Sequence, residues 1–200
     1  MLNDNMIDSR PDIRVKSLRY GELDRGVVVA AAVRVAERGG VRSVTVRALA
    51  AELGLSTTAM YRYVDGKAEL LNLIAEATLA SVELPESGPW QQRIRVVAHS
   101  ARKAMLRIDG IADVLQTQPA KGAARQVAAL MQQLVVDAGV PPARRESARM
   151  LLMIFILGSV SFEPALDGLP HQLTESPARR GSARGHDLLI ADLCATCGAG

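Results

Sequence analysis

Apolar residues recur at three- and four-residue intervals along most of this chain, and the runs are interrupted by glycine and proline. Alternation of the strand type is not sustained anywhere, so the pattern predicts an all-α fold. A first helix is expected over residues 23–38, with Val28, Ala31, Ala32 and Val35 on one side. Gly39-Gly40 ends it, since glycine accepts the left-handed conformation found just past helix ends. A second helix begins at Thr45, a suitable N-cap, and stops before Gly54. Ser56 caps a short third helix ending near Val64. Asp65 is expected to cap a fourth, with Leu70, Leu73, Ile74 and Ala77 in one stripe.

Beyond the break at Glu86-Ser87-Gly88-Pro89, Ile94, Val97, Ala98, Ala101, Met105 and Ile108 keep helical spacing. A short helix is expected from Ile111 to Gln116, and another carrying Val127, Leu130, Met131, Leu134 and Ala138. Residues 144–163 form a further helix whose second half, LLMIFILGSV, is apolar on nearly every side and so requires cover on every side. Residues 164–185 read as a loop, and a last helix carries Leu188, Leu189, Ile190 and Leu193. The expected organisation is a mobile basic arm over 1–22, a helix-turn-helix unit over 23–66, a connecting helix over 67–84, and a second helical domain over 85–200.

Charge sharpens this picture. The chain is 200 residues long with net charge +3, and the whole excess falls in residues 1–67, as expected of a segment that meets phosphates. The longest apolar run, Met150 to Val160, is too short to span a bilayer, and the N-terminus has no signal-peptide pattern. A cytoplasmic protein without a membrane partner is the expectation. Cys194 and Cys197 have C-x-x-C spacing but lack the further ligands or strand-helix context of a zinc or redox site, so no metal or cofactor is expected. The histidines His99, His171 and His186 are scattered, and no nucleophile motif accompanies them, which argues against an enzyme.

The segment from Val44 to Lys67 carries the chemistry. Ala50 is small enough for close helix crossing. Gly54, four residues on, can take the positive φ of a tight interhelical turn, and Met60, six further on, points inward with Val64. At the helical angular increment, Thr58, Tyr61 and Arg62 then lie on the opposite arc. Hydroxyl, phenol and guanidinium groups on one exposed face are those that bond phosphates and base edges.

The wider segment GVRSVTVRALAAELGLSTTAMYRYVDGKAELL resembles the DNA-binding domain of the tetracycline-repressor (TetR) family. The similar features are Gly40-Val41, Thr45-x-Arg47, Leu49-Ala50, Gly54-Leu55-Ser56, Met60-Tyr61-x-Tyr63-Val64 and Gly66-Lys67-x-Glu69-Leu70-Leu71, over roughly residues 25–72. The resemblance implies a DNA surface made of Thr45, Arg47, Ser56, Thr57, Thr58, Tyr61, Arg62, Tyr63 and Lys67. In it Thr57 and Thr58 reach base edges, Tyr61 and Tyr63 contact backbone, and Lys67 bonds a phosphate. Val46 stands where some relatives have a hydroxyl, and either touches a thymine methyl or packs. Tyr63 replaces a common histidine.

The resemblance further implies a C-terminal domain that binds a small-molecule effector and forms a homodimer on double-stranded, pseudo-palindromic DNA. Candidate ligand residues are His99, Met105, Gln116, Met131, Met153 and Phe155; candidate dimer residues are Leu152, Phe155, Ile156, Leu189 and Leu193. A ligand-released repressor is the expected function. The alternative is a constitutive DNA-binding regulator whose C-terminal half only dimerises.

Overall fold

The computed structural model describes residues 24–117 and 121–161. Eight helices are present among them: α1 (Arg25–Ser43), α2 (Val46–Leu53), α3 (Thr57–Met60), α4 (Lys67–Ala80), α5 (Trp90–Met105), α6 (Ile111–Thr117), α7 (Gly122–Asp137) and α8 (Arg145–Ser161), with a 3-10 turn at Pro142–Arg144. The described residues contain no strand, and none of their helices is long and apolar enough to cross a membrane. The expected arm over 1–22, the loop over 164–185 and the last helix lie outside the described residues, as do Leu189, Leu193, Cys194 and Cys197.

The first four helices share one apolar interior. Val28, Ala31, Ala32 and Val35 of α1 meet Leu49, Ala50 and Leu53 of α2, with Met60, Val64, Leu70 and Ile74 closing the cluster, all buried. Asp24 caps α1 by accepting from the Val27 N–H at 2.8 Å. Gly39-Gly40, expected to end the helix, instead kinks it, and the chain regains a turn as far as Ser43. The Ser43 hydroxyl steadies the kink by donating to the Val35 and Gly40 carbonyls. At the start of α4 the cap falls on Gly66 rather than on Asp65, and no side chain caps the helix. Glu69 instead reaches back one turn, its carboxylate accepting from the Asp65 N–H at 2.6 Å.

α1 and α2 are also fastened by charge. Glu52 on α2 accepts from Arg34 at 2.9 Å and from Arg38, both on α1. The hydrogen bond from Arg38, then that from Arg34, hold the Glu52 carboxyl below its ordinary value of 4.5, against an opposing push from burial. A carboxyl depressed in the folded state stabilises at pH above its unfolded value, and that contribution is lost as pH falls through the folded value. Glu52→Gln is therefore expected to shrink the fall in melting temperature between neutral pH and about pH 3, measured by circular dichroism.

α5, α6 and α7 pack against α4, and α8 packs against those three. α5 buries Ile94, Val97, Ala98, Ala101 and Met105, and α7 buries Val127, Met131, Leu134 and Val135. α8 buries Ala148, Leu152, Ile156 and Val160, a row at four-residue spacing. Its opposite side leaves Met150, Leu151 and Ile154 more than half exposed. The end of α1 docks on the turn between α5 and α6. There the Val41 N–H donates to the Asp109 carbonyl at 2.9 Å, and Glu37 pairs with Arg107.

Candidate nucleic-acid interface and internal cavity

The turn between α2 and α3 is built as its spacing predicts. Gly54 sits at φ 67° and ψ 30°, and its N–H closes α2 by donating to the Ala50 and Ala51 carbonyls. Thr45 caps α2, its hydroxyl accepting from the Ala48 N–H at 3.0 Å, and Ser56 caps α3 by accepting from the Ala59 N–H at 3.1 Å. Each capping hydroxyl keeps its own O–H free to donate outward. Met60 and Val64 are buried, so the other side of α3 and the turn after it faces solvent.

The residues the sequence assigns to DNA are exposed, on and around that outer side. Thr57 and Thr58 are exposed on the first turn of α3, with Arg47 exposed near the start of α2. Tyr61 is 58% and Tyr63 40% exposed, unusual for large aromatic side chains and in keeping with rings that await a partner. Arg62 and Lys67 are exposed as well. Val46 is buried at 8% and packs, which settles the choice left open for it.

The second feature is a cavity of about 610 Å³ enclosed by α4, α5, α6, α7 and α8. Met105, Met131 and Met153 line it, three of the six candidate ligand residues. His99 does not: it lies exposed on the outer side of α5, beside Arg95 and Ser100 in a separate, shallower groove. Gln116 turns back to donate to the Ala112 carbonyl at 3.3 Å, and Phe155 is half-buried on α8 away from the wall. Of the dimer candidates, Leu152 and Ile156 are buried within the protomer, and Ile156 contributes to the cavity wall.

Sequence reasoning missed the polar rim of this cavity. Glu69, Asn72 and Glu76 form a row on α4, and Lys121 and Arg149 face them from α7 and α8. The Glu76 carboxylate crosses to accept from the Ala123 N–H at the start of α7. Arg149 pairs with Glu146, a hydrogen bond that lowers the Glu146 carboxyl and raises the Arg149 guanidinium. The signal was present in the three-then-four spacing of Glu69, Asn72 and Glu76 beside an apolar stripe, but it resembles any solvated helix face.

Residues 28–74 match the family model of bacterial regulatory proteins of the tetR family, and residues 84–187 match that of the tetracyclin repressor-like C-terminal domain. The chain belongs to the TetR family. The chain is 36% identical over 103 residues to the HTH-type transcriptional repressor DrrR1 of Streptomyces coeruleorubidus, covering 50% of this chain and 37% of that one. It is 31% identical over 144 residues to an HTH-type transcriptional regulator of Saccharopolyspora erythraea, covering 70% of this chain and 61% of the relative. The match thus spans less than two thirds of the length of either relative. Among solved structures, a TetR variant from Acinetobacter baumannii in complex with minocycline superposes with TM-score 0.72 at 29% identity, covering 85% of this chain and 92% of that one. The family is one of DNA-binding transcription regulators, not of enzymes, and both its DNA-binding and its C-terminal parts are present.

Proposed function

We propose that this regulator is a repressor that binds a pseudo-palindromic operator as a homodimer and is released by a small, largely apolar effector held in the cavity. One observation carries the reading: a single helix serves both ends. α4 starts with Lys67, exposed as Tyr61 and Tyr63 are, and two turns later its Leu73, Glu76 and Leu79 form cavity wall. A ligand that favours one placement of α4 therefore acts on the position of α2 and α3, which is a difference in free energy between two states read at a second site. Thr45, Arg47, Ser56, Thr57, Thr58, Tyr61, Arg62, Tyr63 and Lys67 form the DNA surface. Met105, Met131 and Met153 contact the effector's apolar part, since methionine adapts to irregular ligands.

The exposed Met150, Leu151 and Ile154 give α8 an apolar side suited to a two-fold mate. The cavity favours this reading over that of a constitutive regulator, in which the C-terminal half needs only a packed core. Selection of bound duplexes from a random pool is expected to return an inverted repeat. Affinity for it should fall about a thousandfold between about 50 and 200 mM salt if six or more phosphates are contacted. A selected site lacking two-fold symmetry, or affinity indifferent to salt, overturns the proposal.

A further inference from the structure

The charged rim of the cavity distinguishes among effectors. The inner wall, with Val97, Met105, Met131 and Met153, is apolar and takes an apolar body. At the rim, Arg25, Lys121 and Arg149 converge from three helical segments on two carboxylates of α4, Glu69 and Glu76. Both carboxylates are engaged. Glu69 pairs with Arg25 at 3.7 Å and accepts from the Asp65 N–H. Glu76 accepts from the Ala123 N–H, and its carboxylate lies where a Cβ on residue 122 would stand. None of the ion pairs among the described residues uses Lys121, which is exposed at the cap position of α7 and supplies no side-chain cap of its own.

A cationic head group entering this rim meets Lys121, Arg149 and the positive end of α7, while the carboxylates it needs are already taken. An anionic head group meets the same three features with attraction: it displaces Glu76 from the start of α7, shares Arg149 with Glu146, and finds in Lys121 a rim cation that no ion pair among the described residues uses. We propose that the cavity selects an organic acid, an apolar molecule with a single carboxylate that lies between Lys121 and Arg149 and takes over from Glu76 at the start of α7. The proposal rests on reading the cavity as the effector site, and it adds the charge of the ligand.

The test uses the full chain and three probes with the same twelve-carbon tail, dodecanoate, 1-dodecanol and dodecylammonium, titrated by calorimetry below their micelle thresholds. Dodecanoate is expected to bind about tenfold tighter than the other two, the worth of one charge-assisted hydrogen bond. Lys121→Gln should weaken dodecanoate about threefold, and Glu76→Gln should tighten it by a similar factor, with 1-dodecanol unmoved by either. These opposite signs are not produced by damage to the fold. Ala128→Trp, which fills the cavity from α7, should abolish binding of all three.

Equal binding of the three probes, lost in Ala128→Trp, keeps the cavity as a ligand site and overturns the choice of an acid. Preference for dodecylammonium, weakened by Glu76→Gln, overturns it in favour of a cation. Absence of binding by every probe, or binding that survives Ala128→Trp, removes the cavity reading and the proposal with it.

Discussion

Replacing Thr58 and Tyr61 together with alanine is expected to reduce operator affinity by about two orders of magnitude while leaving the melting temperature nearly unchanged. A side-chain contact to a base edge is worth about 1–3 kcal/mol of discrimination, and loss of a phosphate contact adds to it. Neither side chain supports the fold: both are exposed, and the interior beneath them is closed by Met60 and Val64. The two replacements should also differ in kind. Thr58→Ala is expected to relax sequence preference at one position of the half-site, whereas Tyr61→Ala should weaken all sequences alike. Fluorescence anisotropy on the selected operator and on single-base variants separates the two effects. Unchanged affinity in the double variant would remove this face of α3 from the interface.

The largest expected loss of stability is at Gly40. Its φ of 68° with ψ of 179° lies in a region occupied almost only by glycine. A Cβ there would stand 3.0 Å from the Asp109 carbonyl oxygen, a backbone atom that cannot swing aside. Gly40→Ala is therefore expected to cost about 2–4 kcal/mol, combining strain and crowding, and to lower the melting temperature by roughly 5–15 °C at this chain length. Gly54→Ala provides the comparison. Its φ of 67° is also left-handed, but nothing lies within 4 Å of the added Cβ, so only about 1 kcal/mol of backbone cost is expected. Equal losses at the two positions would show that the approach to Asp109 contributes nothing.

The parts of this protein that the sequence made legible are those fixed by neighbours in the chain. Thr45, Gly54 and Ser56 act within four residues of their own positions, and Met60 and Val64 point inward because one turn of helix separates them. The missed features depend on partners far away. Glu76 meets an N–H 47 residues along the chain, a pairing that no periodicity encodes. His99 and Gln116 sit on helices whose existence was plain, but the side of each that faces the cavity is decided by packing. The apolar run in α8 shows the same limit from the other direction. With large hydrophobic residues on both sides, its apolar spacing does not by itself distinguish the inward row of Leu152 and Ile156 from the outward Met150, Leu151 and Ile154. At the start of α4 the cap falls one residue later than the side-chain chemistry of Asp65 suggests, on Gly66, while Glu69 accepts from the Asp65 N–H.

Among the described residues the helix-turn-helix unit is held to the rest of the protein by the continuation of α4 and by the docking of Val41 and Glu37 on the turn that holds Arg107 and Asp109. A rigid body pinned at two points keeps a single degree of freedom, rotation about the line between the pins. The cavity lies beside one pin and the other is a hydrogen bond and an ion pair, so under the proposed function an effector in the cavity would set an angle of swing without any change in the internal geometry of α2 and α3. In the proposed two-fold assembly equal swings in both subunits would add, adjusting the spacing of the paired units like the opening of a compass.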